Sequence, residues 1–326
     1  MENFSFTQLL ESIQNLTHEE KLCVKSLLDP NSHSQEQPKS LLERIEENFC
    51  SHPHCPHCDS KKVQKWGVQQ NKQRFKCKPC KKTFTSLTKT ELSGVHYIDV
   101  LDQYLECMLD GMSLRKAARR CSISLDTSFH IRHRLMSLLA NNKSEHLEGI
   151  VEIDETFFRL SHKGQRGIKK PRKRGGSSIY KKKGVKTPRV KQVPVLVACD
   201  RQGNLTDAVL TRVSGDELYR HLNGCIKPET PLCADAHLAH ELVSKRLKVV
   251  LKEIVSSSKI AVLEGVFHIQ HVNGYHSTLK RWINCTLCGV ATKNLTKYLG
   301  WRRILSDDSL SKATFTERIA GCWALN

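Results

Sequence analysis

Two Cys-x-x-Cys pairs, Cys55/Cys58 and Cys77/Cys80, are separated by 18 residues and restrict the chain more than any other feature. That spacing fits a four-cysteine zinc site: each pair occupies a tight turn and donates two thiolates, and the residues between form a β-hairpin. Pro56 and Pro79 fall inside the turns, where a fixed φ helps aim both sulfurs at one ion. A segment this short has almost no core, so metal binding would supply most of its folding free energy. The reading is a structural Zn²⁺ on Cys55, Cys58, Cys77 and Cys80 in a zinc ribbon over 50–90. The other cysteines are scattered, and Cys107, Cys199, Cys225 and Cys233 sit in apolar contexts, as reduced core residues do. The lone pair Cys285/Cys288 lacks a second pair nearby.

Charge points to the partner. The 326 residues carry 52 Lys and Arg against 33 Asp and Glu, a net of +19. Residues 1–50 are nevertheless acidic, with 4 basic and 9 acidic side chains, so the remainder is strongly basic. Such a field favours a polyanion, and double-stranded DNA or another nucleic acid is the expected one. The most basic stretch, 161–192, holds 13 Lys and Arg and no acidic residue. It reads as a solvated, mobile loop that becomes a phosphate clamp on DNA through Lys169, Lys170, Arg172, Lys173, Arg174, Lys181, Lys182 and Lys183. No apolar run approaches the ~18 residues that span a bilayer, and no secretory signal opens the chain. A soluble cytoplasmic protein is expected.

Helical periodicity comes first along the chain. Residues 1–49 read as two short helices, a polar linker at 31–40 and a weak helix over 40–49. The segment 95–145 predicts a helix from Tyr97 to Leu109, a short one after Ser113, and a third over Thr127–Leu139. Short helix, brief turn and second helix is the helix-turn-helix arrangement, and Arg132 and Arg134 would enter a DNA groove. From 149 to 305 strands alternate with helices, which predicts a mixed α/β layer fold. Strands are expected at 149–158, 193–199, 205–213, 232–234 and 249–254, and helices at 216–226, 237–247, 273–283 and 295–305. The tail 306–326 carries no interpretable motif.

Asp154 and Asp235 fall at separate strand ends, where two carboxylates can converge on hard divalent cations. Phosphoryl transfer by two metals, roughly 4 Å apart, uses such an arrangement. Three blocks carry a resemblance. Val151-Glu152-Ile153-Asp154-Glu155-Thr156, Cys233-Ala234-Asp235-Ala236 and the run Val272-Asn273 to Lys280-Arg281 resemble the catalytic blocks of bacterial insertion-sequence DDE transposases. Their zinc-ribbon subgroup, the ISXO2-like one with an Asp-Asp-Glu/Asn-Lys signature, is the most similar, and its ribbon is matched down to Gln73-Arg74-Phe75-x-Cys77.

The resemblance implies a ribonuclease H-like catalytic core that cuts DNA at transposon ends and joins the freed 3′-hydroxyl to target DNA. It implies that Asp154 bridges two Mg²⁺ or Mn²⁺ ions, that Asp235 holds one of them, and that Asn273 is the third ligand where many relatives have Glu. An amide oxygen can ligate such a metal but brings no charge. Lys280, seven residues on, shares a helical face with Asn273 and would position a DNA phosphate. A homo-oligomer on DNA is implied too, because two ends must be synapsed. Two further readings follow from the same residues: a domesticated DNA-binding protein that has lost catalysis, motivated by Asn273, and a metal-dependent nuclease without joining activity.

Overall fold

The computed structural model describes residues 39–69, 72–95, 97–140, 143–168, 191–255, 262–307 and 310–324. The helices expected in the first 30 residues, and Lys169 through Lys183 of the basic stretch, lie outside the described residues.

The ribbon begins with helix α1 (Leu41–Ser51), closed by a capping box in which Ser40 Oγ accepts from Glu43 N–H and the Glu43 carboxylate accepts from Ser40 N–H. Strands β1 (Val63–Gln69) and β2 (Lys72–Cys77) form the expected hairpin, and β3 (Thr83–Thr85) adds a third antiparallel strand. The β1–β2 register slips between Lys65 and Val68, where Gly67 takes a φ of +80°. Apolar packing is confined to Phe75, Phe84 and the flank of Phe49 from α1, with Phe75 and Phe84 stacked at 5.8 Å.

Helices α2 (Leu101–Leu109), α3 (Leu114–Arg120) and α4 (Leu125–Leu139) follow, the last capped by Ser124 Oγ on Thr127 N–H. They pack with α8 (Leu295–Ile304) and with α9 (Lys312–Ala324), a helix in the tail that had no readable motif. Phe315 and Ile319 of α9 are buried against Leu41 and Ile45 of α1, and Arg44 pairs with Glu317 at 2.8 Å. The two ends of the described chain therefore share one core. Gly300 of α8 lies against the C-terminal turn of α4, where an added Cβ would meet the Leu139 carbonyl oxygen at 2.3 Å and Ala140 Cα at 2.8 Å. Both are backbone atoms and cannot rotate away. Gly300→Ala is expected to cost at least ~1–3 kcal/mol, read as a lowered melting temperature; a melt unchanged from wild type would show that the helices separate freely.

The remaining strands build one five-stranded sheet: β4 (Val151–Arg159), β5 (Gln192–Asp200), β6 (Leu205–Val209), β7 (Pro231–Asp235) and β8 (Val250–Ile254). Their spatial order is β6-β5-β4-β7-β8, with β4, β5 and β6 antiparallel in turn and β4, β7 and β8 parallel. The parallel part requires helical crossovers, supplied by α5 (Gly215–Leu222) and α6 (Leu238–Leu247) on one face. Helix α7 (Gln270–Arg281) and α8 cover the other, so β5 is buried from Pro194 to Asp200. Coverage on both faces turns a strand's alternation into an apolar run. Arg303 of α8 and Asp207 of β6 form a buried ion pair that ties the sheet to the helical unit, and Arg303 also donates to the Ala140 carbonyl at 2.9 Å. Among the described residues no helix is long and apolar enough to cross a membrane.

Candidate active site

Strand β4 is nine residues long and β7 five, and their ladder pairs only Val151 with Leu232 and Glu152 with Cys233. Extending that register by two places sets Asp235, the last residue of β7, beside Asp154. Because β7 stops there, the flank of β4 opens to solvent: the Asp154 side chain is 21% exposed and that of Asp235 43%. Alternation along β4 sends Val151 and Ile153 into the core under α5 and α6, and turns Glu152, Asp154 and Phe158 toward α7.

Each carboxylate has a buried histidine against it. His276 Nδ1 of α7 lies 3.5 Å from Asp154 Oδ2, while Asp154 Oδ1 accepts the Glu155 N–H at 2.8 Å. His240 of α6 lies with Nδ1 2.6 Å from Asp235 Oδ1 and Nε2 3.1 Å from Glu155 Oε1. Burial opposes a charge on His240, but the hydrogen bond and charge of Glu155, with Asp235 behind them, outweigh it and raise its pKa to about 9. At neutral pH an imidazolium thus stands between the carboxylates of Glu155 and Asp235. In sequence both histidines belong to a set of five, with His237, His268 and His271, none of which is distinguished by its neighbours. Their signal is position: His276 falls one helical turn after Asn273, and His240 lies in the first turn of the helix that follows Asp235.

Asn273 and Lys280 are both exposed on α7, two turns apart on one side of the helix. Among the described residues neither side chain bonds to Asp154 or Asp235. Contact between α7 and the carboxylates runs instead through His276. The donors gathered at this end of the sheet, two carboxylates and an amide, are hard oxygens of the kind that Mg²⁺ and Mn²⁺ prefer.

Glu152, Arg201, His268 and His271 form a second cluster on the same side of β4. Glu152, His268 and His271 bring three ligand atoms within 4.8 Å of one another. The Arg201 guanidinium already fills that space, with Nη1 2.6 Å from Glu152 Oε1, 2.9 Å from His268 Nε2 and 2.6 Å from His271 Nδ1. A resident cation disqualifies the cluster as a metal site.

In the ribbon, Cys55 and Cys80 Sγ are 3.6 Å apart, as are Cys58 and Cys77 Sγ, and all four sulfurs lie within 4.8 Å of one another. A tetrahedron with ~2.3 Å zinc–sulfur arms has edges of about 3.8 Å, so the set has the dimensions of a zinc site. The Lys82 backbone N–H beside Cys80 lowers its thiol to about 7, while burial raises that of Cys77 to about 12. Cys285 and Cys288 are exposed on the turn after α7, with the Cys288 thiol directed to the Cys285 carbonyl at 3.4 Å; no third ligand joins them among the described residues.

The helix-turn-helix contacts need correction. Arg132 is fully buried, its guanidinium 4.8 Å over the Trp301 ring and 5.5 Å over that of Tyr104, so it cannot reach a DNA groove. Arg134 is held by the carbonyls of Glu91 and Ser93. Burial, with Lys297 and Arg132 close by, keeps His133 at about 4 and so neutral. What α4 presents to solvent is Leu125, Asp126, Phe129 and His130, whereas the exposed cations Arg115, Lys116 and Arg119 stand on α3.

Comparison with known proteins gives a family-model match within the chain. Residues 146–302 match the family model described as the ISXO2-like transposase domain. The chain is 24% identical over 270 residues to an uncharacterized protein in transposable element ISH50 of Halobacterium salinarum, covering 82% of this chain and 88% of that one. Among solved structures it is similar to a mariner Mos1 paired-end complex with Mg, at 14% identity, 68% and 76% coverage and a TM-score of 0.30. A pre-cleavage Mos1 transpososome gives 12% identity, 68% and 76% coverage and a TM-score of 0.29. Likeness at that level decides nothing about this chain.

Proposed function

We propose that this chain, a transposase whose residues 146–302 form an ISXO2-like transposase domain, binds the ends of an insertion sequence and catalyses metal-dependent cleavage and strand transfer. One observation carries the catalytic part: Asp154 and Asp235 come side by side where β7 ends, under the helix that bears Asn273 and Lys280. The five-stranded sheet with helices on both faces supports a ribonuclease H-like core.

In this reading the site is of the Asp-Asp-Asn-Lys kind. Asp154 and Asp235 would hold two Mg²⁺ or Mn²⁺ ions, with the Asn273 carbonyl oxygen as third protein ligand. When bound, the metals activate the attacking oxygen and stabilise the leaving one. His276 and His240, both buried and each on its own helix, lie against Asp154 and Asp235. Lys280, exposed and two turns from Asn273, would hold a DNA phosphate as a point charge.

The ribbon carries structural Zn²⁺ and, with the α3 cations and the basic stretch at 161–192, contacts the DNA backbone. Two copies acting together would synapse two ends. The direct test incubates the protein with a labelled duplex of its element's end and a target plasmid, with and without Mg²⁺ or Mn²⁺. Joined product is expected only with the metal. Specific end binding with no product under either ion would favour a DNA-binding relic in which Asn273 has replaced a required Glu, and Asn273→Glu would then be made. Cleavage without joining would point to a nuclease.

A further inference from the structure

Helix α7 has one local cap: His268 Nδ1 accepts the Gln270 N–H at 3.2 Å. Ile269 stands at its N-cap position with no side-chain bond, and the first turn has no acidic residue. The next two amides of the first turn still need acceptors. Here the acceptor comes from across the sheet: Glu152 Oε2 accepts the His271 N–H at 2.9 Å and the Val272 N–H at 3.1 Å. The other oxygen, Oε1, is fixed by Arg201 at 2.6 Å and lies 2.8 Å from His271 Nδ1. The Glu152 side chain is 1% exposed, so water does not replace these partners.

We propose that Glu152 is a positioning residue that sets the distance between Asn273 and the two aspartates by clamping the first turn of α7 to β4. The inference rests on the active-site reading above. Glu152 stands two residues before Asp154 on the same face of the strand, and its amide partners immediately precede Asn273. The clamp thus links the strand that bears Asp154 to the turn that bears Asn273, beside the His276–Asp154 contact. Arg201 holds the carboxylate so that both oxygens are committed, and its Nη2 is anchored on the Val266 carbonyl at 3.0 Å. Partners that orient metal ligands typically affect metal affinity by ~10–100-fold when removed.

The test compares Glu152→Ala and Glu152→Gln in the full chain by two readouts. The first is hydrogen exchange of the segment spanning 270–274 without metal. The second is the Mg²⁺ concentration for half-maximal joining of a pre-cleaved end. Glu152→Ala is expected to lose protection in that turn, with other helices unchanged, and to raise the Mg²⁺ midpoint ~10-fold or more. Glu152→Gln keeps an oxygen that can accept both N–H groups but sets an NH2 against the Arg201 guanidinium, so it is expected to recover part of each. The proposal is overturned if a folded Glu152→Ala keeps the protection or the wild-type midpoint. It is overturned equally if Glu152→Gln loses protection throughout the chain, which would make Glu152 a general core group. An inert wild type sinks the active-site reading and this inference with it, whereas an active wild type with an unmoved midpoint in Glu152→Ala sinks the inference alone.

Discussion

Asp154→Ala is expected to lower metal-dependent cleavage and joining by ~10³-fold or more, with binding to the element's end retained. Metal ligation supplies several kcal/mol of charge stabilisation in the transition state, and each ~1.4 kcal/mol is a factor of ten in rate. The folded state should tolerate the change. Asp154 is partly exposed at the open flank of β4, and its one hydrogen-bond donor is the N–H of its own neighbour, Glu155. The core beneath it is made by Val151, Ile153 and Phe158. A melting temperature near wild type with no product would place the loss in the chemistry. Product formed within tenfold of the wild-type rate would remove Asp154 from the site.

The second large effect is in the ribbon. Cys77→Ser, or stripping the protein with a strong zinc chelator, is expected to unfold residues 55–85 and to weaken end binding by at least tenfold. Three phenylalanines are nearly all the apolar packing this segment has, while structural zinc contributes roughly 10–16 kcal/mol of binding free energy in small zinc domains. The two large cores take Leu41, Ile45 and Leu87 from the ribbon's flanks but no residue of 55–85, so their melting should persist. The checks are metal content, with one zinc per wild-type chain and none in the variant, and proteolysis within β1–β3. A Cys77→Ser ribbon that stays protected and still carries zinc would contradict this assignment.

How much of this was legible in the sequence depended on how local the signal was. The four cysteines declare themselves because both pairs lie in tight turns joined by one hairpin. The strands and most helices of the sheet were readable from apolar runs and turn residues; the second hairpin strand ends at Val209 rather than 213, because Ser214 begins to cap α5. The start of α7 was not readable. It was expected at Asn273, but it begins at Gln270 because its acceptor, Glu152, comes from a strand more than a hundred residues earlier. Local capping rules cannot detect such a partner.

Arg132 shows the complementary failure. A basic residue on the second helix of a helix-turn-helix reads as a groove contact, yet Trp301 from the far end of the chain covers it. The tail failed for the same reason: Phe315 and Ile319 gain meaning only against Leu41 and Ile45. Within the candidate site, Asp235 does stand at a strand end, whereas Asp154, expected at one, lies mid-strand because β4 runs on to Arg159. His240 and His276 did not emerge from the sequence, since a histidine is ambiguous until its neighbours are known.

The most direct measurement counts bound metal. Mn²⁺ electron paramagnetic resonance on the protein bound to its element's end, wild type beside Asp235→Ala, reads occupancy without turnover. If Asp154, Asp235 and Asn273 form the phosphoryl-transfer site, the wild type binds about two spin-coupled Mn²⁺ per catalytic domain, and Asp235→Ala loses at least one along with the coupling. Equal Mn²⁺ binding by the two proteins, or none by the wild type, would contradict the assignment of these residues as the catalytic centre.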